Sequence, residues 1–170
     1  MRILIVGGGG MLGQKLATEL AKTGKMGAKK IDQIILADAF IEPNIPPGAN
    51  FEIIPRVADI TSDHVAESLI GSKADVIFHL AAIVSGEAEA DFEKGYRVNV
   101  DGTRNLFDAI RKIGGEYCPR VVFTSSVAVY GGPYPDIVGD DFHLQPRTSY
   151  GAQKAIGELL LSGPRNCPFS

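Results

Sequence analysis

Cysteine is scarce in this chain of 170 residues: Cys118 and Cys167 stand far apart, beside no cluster of histidines. That argues against a disulfide framework and a zinc site, expects no metal, and fits a reducing, cytoplasmic compartment. An excess of charge of one sign is also lacking, since 17 Lys and Arg face 20 Asp and Glu for a net charge of -3. Lys29 and Lys30 form the one basic doublet of note and read as a solvated turn, so no nucleic acid partner is implied. Long hydrophobic runs are missing as well. None approaches the ~18 residues of a membrane span, and the opening RILIV, followed by four glycines, lacks the form of a signal peptide. A soluble chain without a membrane partner is the expectation. Internal repeats and low-complexity segments are absent too.

What is present is an ordinary globular composition, 45% hydrophobic and 22% charged, in a chain long enough for one domain and too short for two. Short apolar runs alternate with longer segments of helical period. RILIV (2–6), QIILAD (33–38), FEIIPRV (51–57), DVIFHLAA (75–82) and RVVFTSS (120–126) read as strands buried on both faces. Residues 11–24, 62–71, about 91–113 and 148–161 read as helices. The alternation predicts an α/β fold, a Rossmann-type doubly wound parallel sheet. Residues 41–50, with Pro43, Pro46 and Pro47, read as a loop over the sheet's surface. Residues 162–170, SGPRNCPFS, break the pattern and read as an irregular tail after a domain of 1–161.

Three motifs carry chemistry. The first strand runs into GGGGMLG, where Gly7, Gly10 and Gly13 stand three apart before a helix. Such spacing permits a tight turn, close approach of a pyrophosphate to the helix N-terminus, and tight packing of helix on strand. Asp38 ends the second strand, where a carboxylate accepts hydrogen bonds from both ribose hydroxyls and repels a 2′-phosphate, favouring NAD over NADP. Asp59 follows the third strand and has two readings, a contact to adenine or a cap for the helix starting near Ser62. His79 reads as a packed core histidine rather than a ligand. Asn99, inside a predicted helix, suggests a buried hydrogen-bonding role.

The third motif is TSYGAQK. Tyr150 and Lys154 lie four apart on one helical face, downstream of the serines of FTSS. In a doubly wound sheet ligands sit outside the carboxyl ends of the strands, so serine, tyrosine and lysine can converge over a nicotinamide. A phenol ordinarily titrates near 10, and an ammonium about 4 Å away contributes on the order of 4 kcal/mol toward its phenolate at an intermediate dielectric.

Together these residues resemble the extended short-chain dehydrogenase/reductase family, also described as NAD-dependent epimerase/dehydratases. The resemblance runs to about Leu161 and rests on GGGGMLG, LAD, ADI, HLAA, NVDGTRNL, SSVAVYG and Y-G-A-Q-K. It implies NAD bound by Gly7, Gly10, Met11, Leu12, Gly13, Asp38, Asp59, Ile60, Leu80, Ala81, Ala82, Asn99, Tyr150 and Lys154. It also implies Tyr150 as general acid/base, Lys154 as its activator, and Ser126, with Ser125 as the neighbouring candidate, on the substrate. Dehydratases of the family carry Asp-Glu after that hydroxyl residue. Val127 and Ala128 stand here instead.

Within the family, IVSGEAEADFEKGYRVNVDGTRNL and TSSVAVYGGPYPD look most similar to the D-erythronate dehydrogenase group, which would place Ser85 in the substrate pocket beside Ser126 and Tyr150. The expected activity is NAD-dependent oxidation of a secondary alcohol on a small sugar acid. A nucleotide-sugar epimerase and an NAD-binding domain without turnover are the alternatives. Family members continue into a smaller C-terminal substrate domain, so a truncated chain lacking that domain is expected. A homodimer through the helices at 91–113 and 148–161 is expected by the same resemblance.

Overall fold

The computed structural model describes residues 1–40 and 42–162. Five parallel strands form its sheet: β1 (Arg2–Val6), β4 (Gln33–Asp38), β5 (Glu52–Val57), β6 (Val76–His79) and β7 (Arg120–Phe123). Their spatial order is β5-β4-β1-β6-β7, so the chain winds outward from β1 in one direction and then in the other. The reversal leaves a crevice at the carboxyl ends of β1 and β6, the usual ligand position in such sheets.

Helix α1 (Met11–Thr23) covers one face, while α2 (Val65–Ile70) and α5 (Thr103–Ile113) cover the other. Side chains alternate across a strand. Ile3, Ile5, Ile34 and Leu36 therefore meet Ala17 and Leu20 of α1, and Leu4, Val6, Ile35, Ala37 and Ile77 meet Leu69 of α2 and Leu106 of α5. Each such buried aliphatic contributes roughly 1.5–3 kcal/mol. Only the central strands are buried on both faces; β5 and β7 lie at the edges and keep Val57 and Val122 exposed.

Three local features depart from the sequence reading. Residues 25–30 form a hairpin of β2 (Lys25–Met26) and β3 (Lys29–Lys30) around Gly27 in the left-handed region, so the lysine doublet is strand rather than turn. The expected long helix over 91–113 is divided into α4 (Phe92–Tyr96), a π-helical turn (Arg97–Gly102) and α5, and Asn99 within that turn is buried. Ahead of it stands an unforeseen helix, α3 (Ser85–Ala90), which ends where the Asp91 carboxylate accepts from Lys94 N at 3.0 Å and starts α4.

The fourth and fifth strands also end early, at His79 and Phe123. Beyond Phe123 the chain enters a 3₁₀ turn (Val127–Val129), and after a loop, α6 (Ser149–Ser162) closes the described chain. Ser162 is helical, not part of a tail, and the rest of the expected tail lies outside the described residues. Residues 42–50 carry neither helix nor strand, as the prolines there require. Cys167, the second of the two cysteines, lies outside the described residues. Among the described residues no helix is long and apolar enough to cross a membrane.

Candidate active site

The turn after β1 is shaped by contacts that exclude side chains. Gly7 has φ of +91°, and a Cβ there would lie 2.6 Å from Ala81 N. A Cβ on Gly13 would lie 2.2 Å from Gly7 O, so α1 can rest on the strand only through glycine. The turn is tied to β4 by Gly7 N and Gly8 N, which both donate to Ala37 O at 2.8 Å. Asp38, at the end of β4, accepts from Gly9 N at 3.0 Å and from Phe40 N at 3.2 Å. Its carboxylate is thereby held at the mouth of a cleft.

That cleft, about 140 Å³, is lined in part by Gly7, Gly10, Asp38, Asp59, Ile60, Leu80, Ala81 and Ala82. The structure thus gathers eight of the residues proposed from sequence. Met11 and Leu12 project from the first turn of α1, 70% and 53% exposed, and Gly13 is buried beneath it. Asp59 accepts from Thr61 N at 2.9 Å in a local turn, and α2 begins only at Val65, so Asp59 does not cap that helix. Ile60 points into the core while Asn105 Nδ2 donates to its carbonyl at 3.1 Å.

Asn99 stands behind the cleft. Its Oδ1 accepts from Ile83 N at 2.8 Å, and its Nδ2 donates to Ile83 O at 3.0 Å and to Gln153 Oε1 at 2.7 Å. Thr103 Oγ1 donates to Asn99 O at 2.7 Å and so spends its single proton. The 2.8 Å contact between Thr103 Oγ1 and His79 Nε2 must then be donated by the imidazole, leaving Nδ1 as a bare acceptor with no partner. His79 is fully buried against Phe107 and Phe123, and burial, aided by the charge of Lys154, pushes its pKa down to about 3. It is the packed, neutral histidine that the sequence suggested.

Ser126, Tyr150 and Lys154 gather at the carboxyl end of β7. Ser126 Oγ accepts from Ala128 N at 3.2 Å at the start of the 3₁₀ turn, and α6 packs on that turn so closely that a Cβ on Gly151 would lie 2.2 Å from Ala128 O. Ser125 points elsewhere: its hydroxyl donates to Glu158 on α6. Lys154 is 3% exposed, donates to Thr124 O at 3.0 Å, and lies 5.0 Å above the Phe123 ring centroid and 5.9 Å from that of Tyr150. Burial pushes its ammonium down to about 8.

Residues 3–164 match the NAD dependent epimerase/dehydratase family. The chain belongs to that family. It is similar to the D-erythronate dehydrogenase of Cupriavidus necator, with 45% identity over 95% of this chain and 50% of that protein. The structure is similar to the nucleoside-diphosphate-sugar epimerase of Agrobacterium tumefaciens, with a TM-score of 0.91 and 55% identity over 95% of this chain and 48% of the other. It is also similar to UDP-glucose 4-epimerase from Brucella ovis in complex with NAD, with a TM-score of 0.76 and 28% identity over 95% and 46% of the two chains. The chain spans about half the length of these relatives.

Several residues of this epimerase/dehydratase site escaped the sequence reading. Gln153, fully buried, joins α6 to Asn99, and its one signal was a polar residue inside Y-G-A-Q-K between Tyr150 and Lys154. Glu89 on α3 accepts from Tyr150 N at 2.9 Å, capping α6 from another element, and that backbone hydrogen bond leads the causes holding its carboxyl below the usual range. Thr124 offers Lys154 a backbone carbonyl, which carries no side-chain signature. Ser85 is the first residue of α3 and is exposed. Among the described residues no cluster of three His, Cys, Asp or Glu is placed to hold a metal.

Proposed function

We propose that this chain binds NAD and supplies the acid/base residues for oxidising a secondary alcohol on a small sugar acid of the D-erythronate type. The observation that carries the reading is Lys154, a buried ammonium held by Thr124 O beside the Tyr150 ring. It places a cation beside the side chain proposed as the acid/base. The cleft fits the cofactor: a Cβ on Gly10 would meet only Gly7 O, at 3.4 Å, so the fold itself does not demand glycine there. A ligand approaching the backbone would. Asp38 at the cleft mouth suits a ribose diol and disfavours a 2′-phosphate. At about 140 Å³ the cleft takes only part of a dinucleotide, and Met11 and Leu12, exposed on the first turn of α1, would meet the remainder.

When bound, NAD supplies the hydride acceptor. Tyr150 would then take the hydroxyl proton of the substrate, Lys154 would hold the nicotinamide ribose beside it, and Ser126 would orient the hydroxyl being oxidised. The alcohol carbon loses a hydride and its oxygen a proton, leaving a ketone. Residues 1–161 form the NAD-binding unit on this reading, and the protein acts in the cytoplasm. A nucleotide-sugar epimerase is the second reading, favoured by the names of two of the relatives; it would retain NAD through purification, whereas a dehydrogenase exchanges it.

The test is NADH appearance at 340 nm when the purified chain receives NAD and D-erythronate. Turnover that Tyr150→Phe reduces by at least about 10²-fold, with NAD binding intact, supports the reading. NAD binding with no turnover on any sugar acid would reduce it to a cofactor-binding unit.

A homodimer through the helices at 91–113 and 148–161 belongs to the same proposal, supported by Phe92, Leu159 and Leu160, which stay 53%, 65% and 40% exposed on those helices. Sedimentation at micromolar concentration should give twice the chain mass; a monomer would overturn the dimer.

A further inference from the structure

We propose that Gln153 is a positioning residue that couples α6 to the floor of the cleft through Asn99. This rests on the reading of α6 as the helix that carries the acid/base pair. Gln153 stands next to Lys154, has no solvent exposure, and is not itself part of the cleft lining.

The orientation of its amide follows from a chain of single choices. Ile83 presents both its N–H and its carbonyl to Asn99, which fixes which end of the Asn99 amide is oxygen and which is nitrogen. The remaining N–H of Asn99 points at Gln153 and finds Oε1 at 2.7 Å. Turned the other way, two NH₂ groups would face each other. The consequence is that Gln153 Nε2 lies buried with no acceptor.

A buried donor without an acceptor costs stability. An apolar side chain of the same length would fill the slot without that cost, so packing alone does not account for glutamine here. Gly95 leaves the slot open: a Cβ there would lie 2.8 Å from Gln153 Nε2. What glutamine adds is one hydrogen bond to the residue that clamps Ile83, which directly follows Leu80, Ala81 and Ala82 in the cleft wall. On the far side, Thr103 and His79 extend the same chain of bonds to β6. A shift of α6 is thereby passed to the backbone that faces the cofactor, and a displacement of about 1 Å between reacting groups costs on the order of 10²-fold in rate.

The experiment compares backbone amide exchange by NMR in the chain without NAD, wild type against Gln153→Met, followed by NAD titration in a calorimeter. Exchange at Ile83 is expected to rise at least about 10-fold in the variant while Leu4, in the central strand, changes less than about 2-fold. The NAD Kd is expected to weaken about 10-fold. Gln153→Glu, which keeps an acceptor toward Asn99, should keep Ile83 protected. Equal exchange at Ile83 in wild type and Gln153→Met would overturn the coupling, as would a uniform rise at all amides, the mark of a merely structural role. If the wild type binds no NAD, the proposed function fails, and the exchange comparison still decides the coupling.

Discussion

Lys154→Met should make the fold more stable at pH 7 while lowering turnover by about 10²-fold. The folded ammonium titrates at about 8, against an ordinary value of 10.5. Below pH 8 both states carry the proton and the folded state bears the full cost of burying it, about 3 kcal/mol for a difference of this size. Between pH 8 and 10.5 the unfolded chain holds a proton that the folded chain has lost, so stability rises with pH across that window. Methionine removes the buried charge but leaves the Thr124 carbonyl unpaired, a loss of about 1 kcal/mol.

The net gain of about 2 kcal/mol corresponds to roughly 4–8 °C in Tm for a domain of this size. Thermal melts at pH 7 and pH 10 check it, because the advantage of the variant should nearly vanish at the higher pH. A variant that melts lower than wild type at pH 7 would sink the idea. On the proposed function, the turnover loss follows from removing the cation that lies beside the Tyr150 ring. It should appear in kcat.

The second large effect is acid sensitivity centred on His79. Its folded pKa is about 3 because the ring is fully buried and Lys154 adds repulsion, whereas an unfolded histidine titrates near 6.5. As pH falls from 6.5, the unfolded chain gains a proton that the folded chain refuses, and stability drops toward a total loss of up to about 5 kcal/mol near pH 3. From pH 6.5 to 5.0 the expected loss is about 2 kcal/mol. Glu67 and Glu89, whose carboxyls are held below the usual range, add their losses only further down. Urea unfolding of wild type and His79→Leu at the two pH values separates the cases. The variant gives up the bond to Thr103 at every pH but should show almost no change between 6.5 and 5.0. An equal slope in both proteins would place the titrating group elsewhere.

The parts of the site that are legible in the order of amino acids share one property: each is local in sequence. Gly7, Gly10 and Gly13 lie on one turn between a strand and a helix, Asp38 ends the next strand, and Tyr150 and Lys154 are one helical turn apart. Spacing alone relates such groups, because the geometry of a strand, a turn or a helix is nearly the same in every protein. The order of apolar runs likewise shows a parallel sheet, since its central strands must be apolar on both faces.

Sequence by itself thus determined the fold class, the glycine turn after the first strand, the carboxylate that ends the second, and the tyrosine–lysine pair. Tertiary structure alone decided the rest. Ser125 and Ser126 are equivalent as letters, and only the tertiary structure sends one to Glu158 on α6 and ties the other to Ala128 N in the 3₁₀ turn. Asn99, Ile83 and Gln153 lie 16 and 54 residues apart, and nothing in their neighbourhoods in the chain says that they meet. Glu89 reaches the N-terminus of α6 from a helix 61 residues earlier. The depressed pKa values of Lys154 and His79 arise from burial, which no residue possesses until the whole chain has closed around it.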